Sequence, residues 1–203
     1  MKSVAPRLSG ARERRKAQTR QALISTAVKL FSEYGFDTVT VAEIAAHADV
    51  DDSTFFRHFP TKEAVLYAPE DVAQLLETAL RSRPAAENLI SSMTTAFETV
   101  VYQSSVDTEQ IRLRLELSRE SAALSYAETA YWSRWERTCA GAFAARGYPE
   151  REAALLGAAF VTAARFGLDL IIDEPAAVSR DAIVRRFRDA LDALHELGGL
   201  GPT

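Results

Sequence analysis

Between Thr40 and Lys62 the sequence concentrates side chains that handle phosphates and the edges of nucleobases. Hydroxyls stand at Thr40, Ser53 and Thr54, acceptors at Asp51 and Asp52, and donors at Arg57, His58 and Lys62. Serine and threonine bond several base edges, aspartate accepts from cytosine N4, and basic side chains near a helix end clamp phosphate. Thr40 opens the run Thr40-Val41-Ala42-Glu43, in which its hydroxyl caps exposed amides and Glu43 reaches back as a capping box. The same hydroxyl and amides also suit a phosphate, and both readings stand. Asp51 has a plain alternative to reading a base, since an acid stabilises a helix N-terminus without touching a ligand. His58 has no second histidine or cysteine at ligand spacing, so no metal or other cofactor is expected.

The surrounding pattern supplies elements to position these groups. Leu23, Ala27, Leu30, Phe31 and Tyr34 recur on one helical face, and Gly35 suits the left-handed residue that ends a helix. A second helix carries Val41, Ile44, Ala45 and Ala48 on one side; Asp49-Val50-Asp51-Asp52 turns into a third, through Phe55 and Phe56 to Phe59. Two short helices joined by about four residues fit a helix-turn-helix. The basic arm through Lys16 reads as mobile. A fourth helix is expected from Lys62, with Thr61 as its cap, Val65 and Leu66 facing inward and Pro69 dividing it. Further helices are expected over 70–81, 85–103, 108–119, 121–146, 149–173 and 179–197, with breaks at Pro84, Gly147, Pro149 and Pro175. No stretch alternates as a strand would, so the class is all-α.

The segment from Leu23 to Lys62 resembles the DNA-binding domain of the TetR family of regulators. Leu30-Phe31, Gly35-Phe36, the run Thr40-Val41-Ala42-Glu43-Ile44-Ala45, Val50, and Thr54-Phe55-Phe56-Arg57-His58-Phe59 leading to Lys62 carry the likeness. Phe56 departs from it: many members have tyrosine there, so a phenolic bond to phosphate is lost while ring packing on the sugar-phosphate backbone remains. The resemblance implies an N-terminal arm and three-helix DNA-binding domain over 1–62 and a larger helical effector-binding and dimerisation domain over 63–203. It further implies a repressor that binds a palindromic double-stranded operator as a homodimer and is released by a small molecule. Thr40, Val41, Asp51, Asp52, Ser53, Thr54, Phe56, Arg57, His58 and Lys62 would contact the DNA.

Charge distribution agrees better than total charge. The 203 residues carry a net −4, but residues 1–62 come to +3 and the remainder to −7. The single cysteine, Cys139, cannot form an intrachain disulfide, and the basic N-terminus lacks the apolar run of a secretion signal. The longest apolar segment, 153–164, stops at Arg165, so a cytoplasmic chain without a membrane span is expected.

In the second half, Ala154, Gly157, Ala158 and Ala164 allow another helix to approach, and Ile183, Val184, Phe187, Leu191 and Leu194 share a face. Subunit pairing and an intrachain core would both produce these patterns. Phe97, Tyr131, Trp132 and Trp135 supply aromatic density for an apolar effector, or for a core. Arg165 and Asp169 stand at ion-pair spacing. An enzyme finds no support, since no metal-ligand cluster, phosphate-cradling glycine loop or nucleophile–base set is recognisable. A helical carrier that kept the fold but lost DNA binding remains the other alternative.

Overall fold

A computed structural model describes residues 6–67, 70–84, 86–104, 108–174 and 178–199; the expected breaks at Pro69 and Pro175 lie outside them. The described residues form helices and contain no strand. The chain divides into two units, one of Met1–Ala68 with Leu117–Ala127, the other of Pro69–Glu116 with Glu128–Thr203.

Unit 1 contains α1 (Pro6–Tyr34), α2 (Val41–His47) and α3 (Asp52–His58). Leu23, Ala27, Leu30 and Phe31 of α1 are buried with Ile44 and Ala45 of α2 and Phe55 of α3; Phe59 follows α3 into the same core. Tyr34, expected on the apolar face, is 60% exposed. It is the last residue of α1, before Gly35 turns the chain at φ +80°. The basic arm expected to be mobile is instead helical from Pro6 onward.

The helix expected from Lys62 does not form. A single 3-10 turn, Glu63–Val65, stands there, with Val65 buried and the Ala64 amide donating to the Thr61 hydroxyl at 3.3 Å. A proline at position 69 has no amide hydrogen for the Val65 carbonyl, so the turn cannot propagate as an α-helix. Two contacts tie residues 117–127 into this unit. Ser121 Oγ donates to Asp37 Oδ1 at 2.9 Å, and Tyr67 Oη donates to the Leu124 carbonyl at 3.0 Å. The packing therefore draws the first boundary after residue 68 rather than 62 and adds this later segment.

The later helices are α4 (Glu70–Arg81), α5 (Leu89–Gln103), α6 (Thr108–Glu120), α7 (Ala122–Ala145), α8 (Glu150–Asp173) and α9 (Arg180–Gly199). Helix α5 starts four residues later than expected because Asn88 caps it, accepting from the Ser91 amide at 3.2 Å. Just before that cap, Glu87 accepts from Arg83 Nε and Nη2 at 2.7 and 2.6 Å and from Ser92 Oγ at 2.8 Å. These bonds, Arg83 first, hold its carboxyl down to about 2.

The core of unit 2 corrects two expectations. Phe97, expected in an effector pocket, stacks on Phe187 with centroids 4.1 Å apart, and Phe160 meets both rings edge-on. Phe187, expected at a subunit seam, is fully buried within its own chain. The apolar stripes of α5, α8 and α9 converge there, so the intrachain alternative accounts for Ile183, Val184, Phe187 and Leu191.

Helix α8 is long and apolar enough by length and composition to cross a membrane, contrary to the expectation that Arg165 cuts such a segment short. Much of its apolar surface is covered within unit 2, where two glycines bring its neighbours close. A Cβ on Gly157 would lie 2.7 Å from the Glu136 carbonyl oxygen of α7, and one on Gly167 would lie 3.0 Å from the Ile183 carbonyl oxygen of α9.

Gly157→Ala is therefore expected to destabilise unit 2 by about 1–3 kcal/mol, because backbone rather than a flexible side chain must move. Gly141, inside α7, has nothing within 4 Å of an added Cβ. Gly141→Ala should be neutral or stabilising by up to about 1 kcal/mol from helix propensity. Urea unfolding of the two variants checks the contrast; equal midpoints would contradict the close helix approach.

Candidate nucleic-acid interface

Helix α2 begins with the capping box expected from its sequence. Thr40 Oγ1 accepts from the Glu43 amide at 3.2 Å, and Glu43 Oε2 accepts from the Thr40 amide and hydroxyl, each at 2.8 Å. These bonds, led by the one from the Thr40 amide, lower the Glu43 pKa. Since the Thr40 carbonyl accepts from Ile44 at 3.2 Å, all polar groups of Thr40 are engaged in the cap. Val41 follows, partly exposed, in the first turn.

Asp51 caps α3. Its Oδ1 accepts from the Thr54 amide at 2.7 Å and the Ser53 hydroxyl at 2.7 Å, and these bonds, Ser53 first, lower its pKa. The capping alternative accounts for that oxygen. Asp52 and Ser53 remain exposed in the first turn, whereas Thr54 is half-buried and its hydroxyl accepts from Arg57 Nη2 at 2.9 Å. Phe56, at 52% exposure, projects from α3 and meets Phe55 edge-on.

Two of the expected phosphate clamps differ from expectation. Lys62 Nζ donates to the carbonyls of Phe36 and Val39 at 2.8 and 2.9 Å and lies 4.0 Å from the Phe36 ring centroid. It clasps the loop between α1 and α2, leaving one ammonium hydrogen for an outside acceptor. His58 is half-buried, and its Nδ1 is buried with no hydrogen-bond partner among the described residues. Burial first, then repulsion from Arg57, Lys16 and Arg20, holds its pKa below the ordinary histidine value. Burial and these neighbouring cations disfavour the charged ring that a cationic clamp requires.

In unit 2 the expected aromatic cluster separates. Tyr131, Trp132 and Trp135 touch one another with centroids 5.2–5.7 Å apart. Trp135 is buried, and its Nε1 has no hydrogen-bond partner among the described residues. Of the predicted effector residues, Trp132 alone lines a cleft of about 200 Å³ between α7 and α8. Its Nε1 donates to Glu128 Oε1 at 2.6 Å, and the other oxygen of Glu128 lies 3.4 Å from buried Arg114 Nε. Thr129, Ser133, Glu136, Thr162 and Arg165 make the lining polar rather than apolar as expected. The Arg165–Asp169 ion pair does not form within 4.0 Å, and Arg165 turns to the cleft. Cys139 is fully buried, and burial pushes its thiol pKa up, consistent with a packing residue rather than a nucleophile.

A sequence profile described as bacterial regulatory proteins, tetR family, matches residues 23–68. Those residues carry the sequence pattern of a tetR-type DNA-binding domain. The HTH-type transcriptional regulator TcmR of Streptomyces glaucescens is 39% identical over 97 residues, covering 47% of this chain and 43% of TcmR. The match thus spans less than half the length of that relative.

Two solved TetR-type structures share the fold over nearly the whole chain. A TetR-like transcriptional regulator from Rhodococcus sp. RHA1 superposes with TM-score 0.51 at 17% identity, covering 89% of this chain and 96% of its own. The FadR repressor of Thermus thermophilus, solved in complex with lauroyl-CoA, gives TM-score 0.53 at 21% identity, covering 91% and 98%.

Reading the chain from residue types missed Lys16 and Arg20, whose charges act on His58 from α1, and the polar wall of the cleft. The cationic spacing on α1 was a usable signal. The cleft was not legible, because it depends on which faces of α7 and α8 meet.

Two expectations follow for unit 1. Asp51→Ala should lower its thermal midpoint while Asp51→Asn keeps it, because asparagine caps as well as aspartate. Equal loss in both would assign the effect to charge instead. For His58 the folded pKa lies below an unfolded value of about 6.5, so its contribution is fully present above about pH 6.5 and is lost as pH falls through the folded value. A His58→Gln variant should flatten this acid-side decline in a pH series of thermal melts, and an unchanged decline would contradict the assignment.

Proposed function

We propose that the chain is a ligand-responsive transcriptional repressor that binds a palindromic operator as a homodimer and is released by a small molecule. The observation that carries this reading is the doubly capped α2–α3 pair, which holds an exposed first turn of α3 above a closed aromatic core. That turn is the part of a recognition helix that enters the major groove. In this reading Asp52, Ser53 and Thr54 read base edges. Val41, Phe56 and Arg57 meet the backbone, Thr40 and Asp51 hold the two helix starts, and Lys62 fixes the loop behind them. Catalysis has no part in the reading, and work on a bacterial operator places the chain in the cytoplasm.

Pairing is supported by apolar side chains left outside the core of unit 2. Leu155, 71% exposed, and Phe166, 47% exposed, are eleven residues apart on α8 and so share a face, and Leu194 of α9 is also exposed. Such groups suit a twofold helical seam that presents two recognition helices to successive major grooves. Effector control is supported by the α7–α8 cleft around Trp132 and by FadR, solved with lauroyl-CoA, as a neighbour of the same fold.

Selection from a random-sequence duplex pool should enrich an inverted repeat, and Ser53→Ala and Thr54→Ala should change the preferred bases more than the overall affinity. Failure to enrich any sequence would favour the carrier alternative. In sedimentation, Phe166→Asp should give a folded monomer with weakened operator binding, whereas Phe187→Asp should unfold unit 2. An undiminished Phe166→Asp dimer would move the seam elsewhere.

A further inference from the structure

The inward stripe of α1 changes chemistry where the core ends. Leu23 and Ala27 are buried, and the same ridge continued toward the N-terminus carries Arg20, Lys16 and Arg12 at steps of three or four residues. Residues 10–20 contain five basic side chains and one acid, Glu13. Those from Arg12 to Gln18 are all exposed. Arg20 lies 4.8 Å from the centroid of the Phe59 ring, and Lys16 and Arg20 join Arg57 in repelling a proton from His58. The ridge therefore runs past the C-terminal end of α3. It also lies outside the segment matched by the family profile, which begins at residue 23.

This stretch is rich in helix formers, since from Ala11 to Gln21 all but Thr19 are alanine, arginine, lysine, glutamate or glutamine. Its cations are crowded along the helix with Glu13 the one acid among residues 10–20, and no residue from 10 to 22 is buried. A polyanion along the ridge would offset their mutual repulsion.

We propose that Arg12, Lys16 and Arg20 form a second DNA-backbone contact, a cationic ridge continuous with Arg57 that lies along phosphates beside the base-reading turn of the same half-site. The proposal rests on reading unit 1 as DNA-binding. Because phosphates carry no base identity, the ridge raises affinity without changing sequence preference.

The test compares two double variants that remove equal charge from opposite sides of one helix: Arg12→Gln with Lys16→Gln, and Arg14→Gln with Lys29→Gln. Glutamine is a good helix former, and circular dichroism checks that both keep their helix content. Each is titrated with a short mixed-sequence DNA duplex over a salt series. The ridge pair should reduce the slope of log affinity against log salt by about 1.8, at about 0.9 per phosphate contact. Between about 50 and 200 mM salt, wild type should then lose about tenfold more affinity than the ridge variant. The Arg14 and Lys29 pair should keep the wild-type slope. Equal changes in both pairs would reduce the effect to net charge, and an unchanged slope in the ridge pair would remove the contact; either overturns the proposal. Wild type without salt-dependent binding would instead overturn the reading of unit 1 on which the proposal rests.

Discussion

Seven residues are too few for a helix to persist in water, because nucleation fixes several backbone angles before enough hydrogen bonds form to compensate. Helices α2 and α3 are both that short. They hold their geometry because Thr40 and Glu43 close one end of α2, Asp51 closes one end of α3, and Ile44, Ala45 and Phe55 fix the inner faces against α1. The caps are thus conditions for having a recognition turn at all.

Several side chains in this region consequently act on the protein first. Thr40 serves its cap, Asp51 organises Thr54 and Ser53, and Lys62 binds two carbonyls of the preceding loop. Such internal bonds pre-order an interface, so less conformational freedom is lost on docking. They also restrict direct contact with DNA to groups with spare valence.

Local chemistry was legible in the sequence, and long-range choice of partner was not. The capping box, the Asp51 turn and Gly35 each depend on residues within four positions, and their structures follow the expectation. The false helix start at Lys62 came from treating Thr61 as an α-helical cap where only one 3-10 turn fits. Phe97 and Phe187 show the deeper limit. An apolar stripe announces burial without naming what buries it, and these two rings bury each other. The α1 extension was missed for the opposite reason: its residues favour a helix, but no apolar stripe marks positions 10–22.

The close approach at Gly157 gives the cleft a mechanical character. Near Glu136 and Ala140, α7 and α8 meet almost backbone to backbone, while the cleft extends along α7 back to Glu128. Eight residues of helix make a lever arm of about 12 Å. With one end of that arm held, the walls cannot separate in parallel. An occupant that spreads them acts as a wedge, and its size is read out as the angle between two stiff rods pivoting about a glycine.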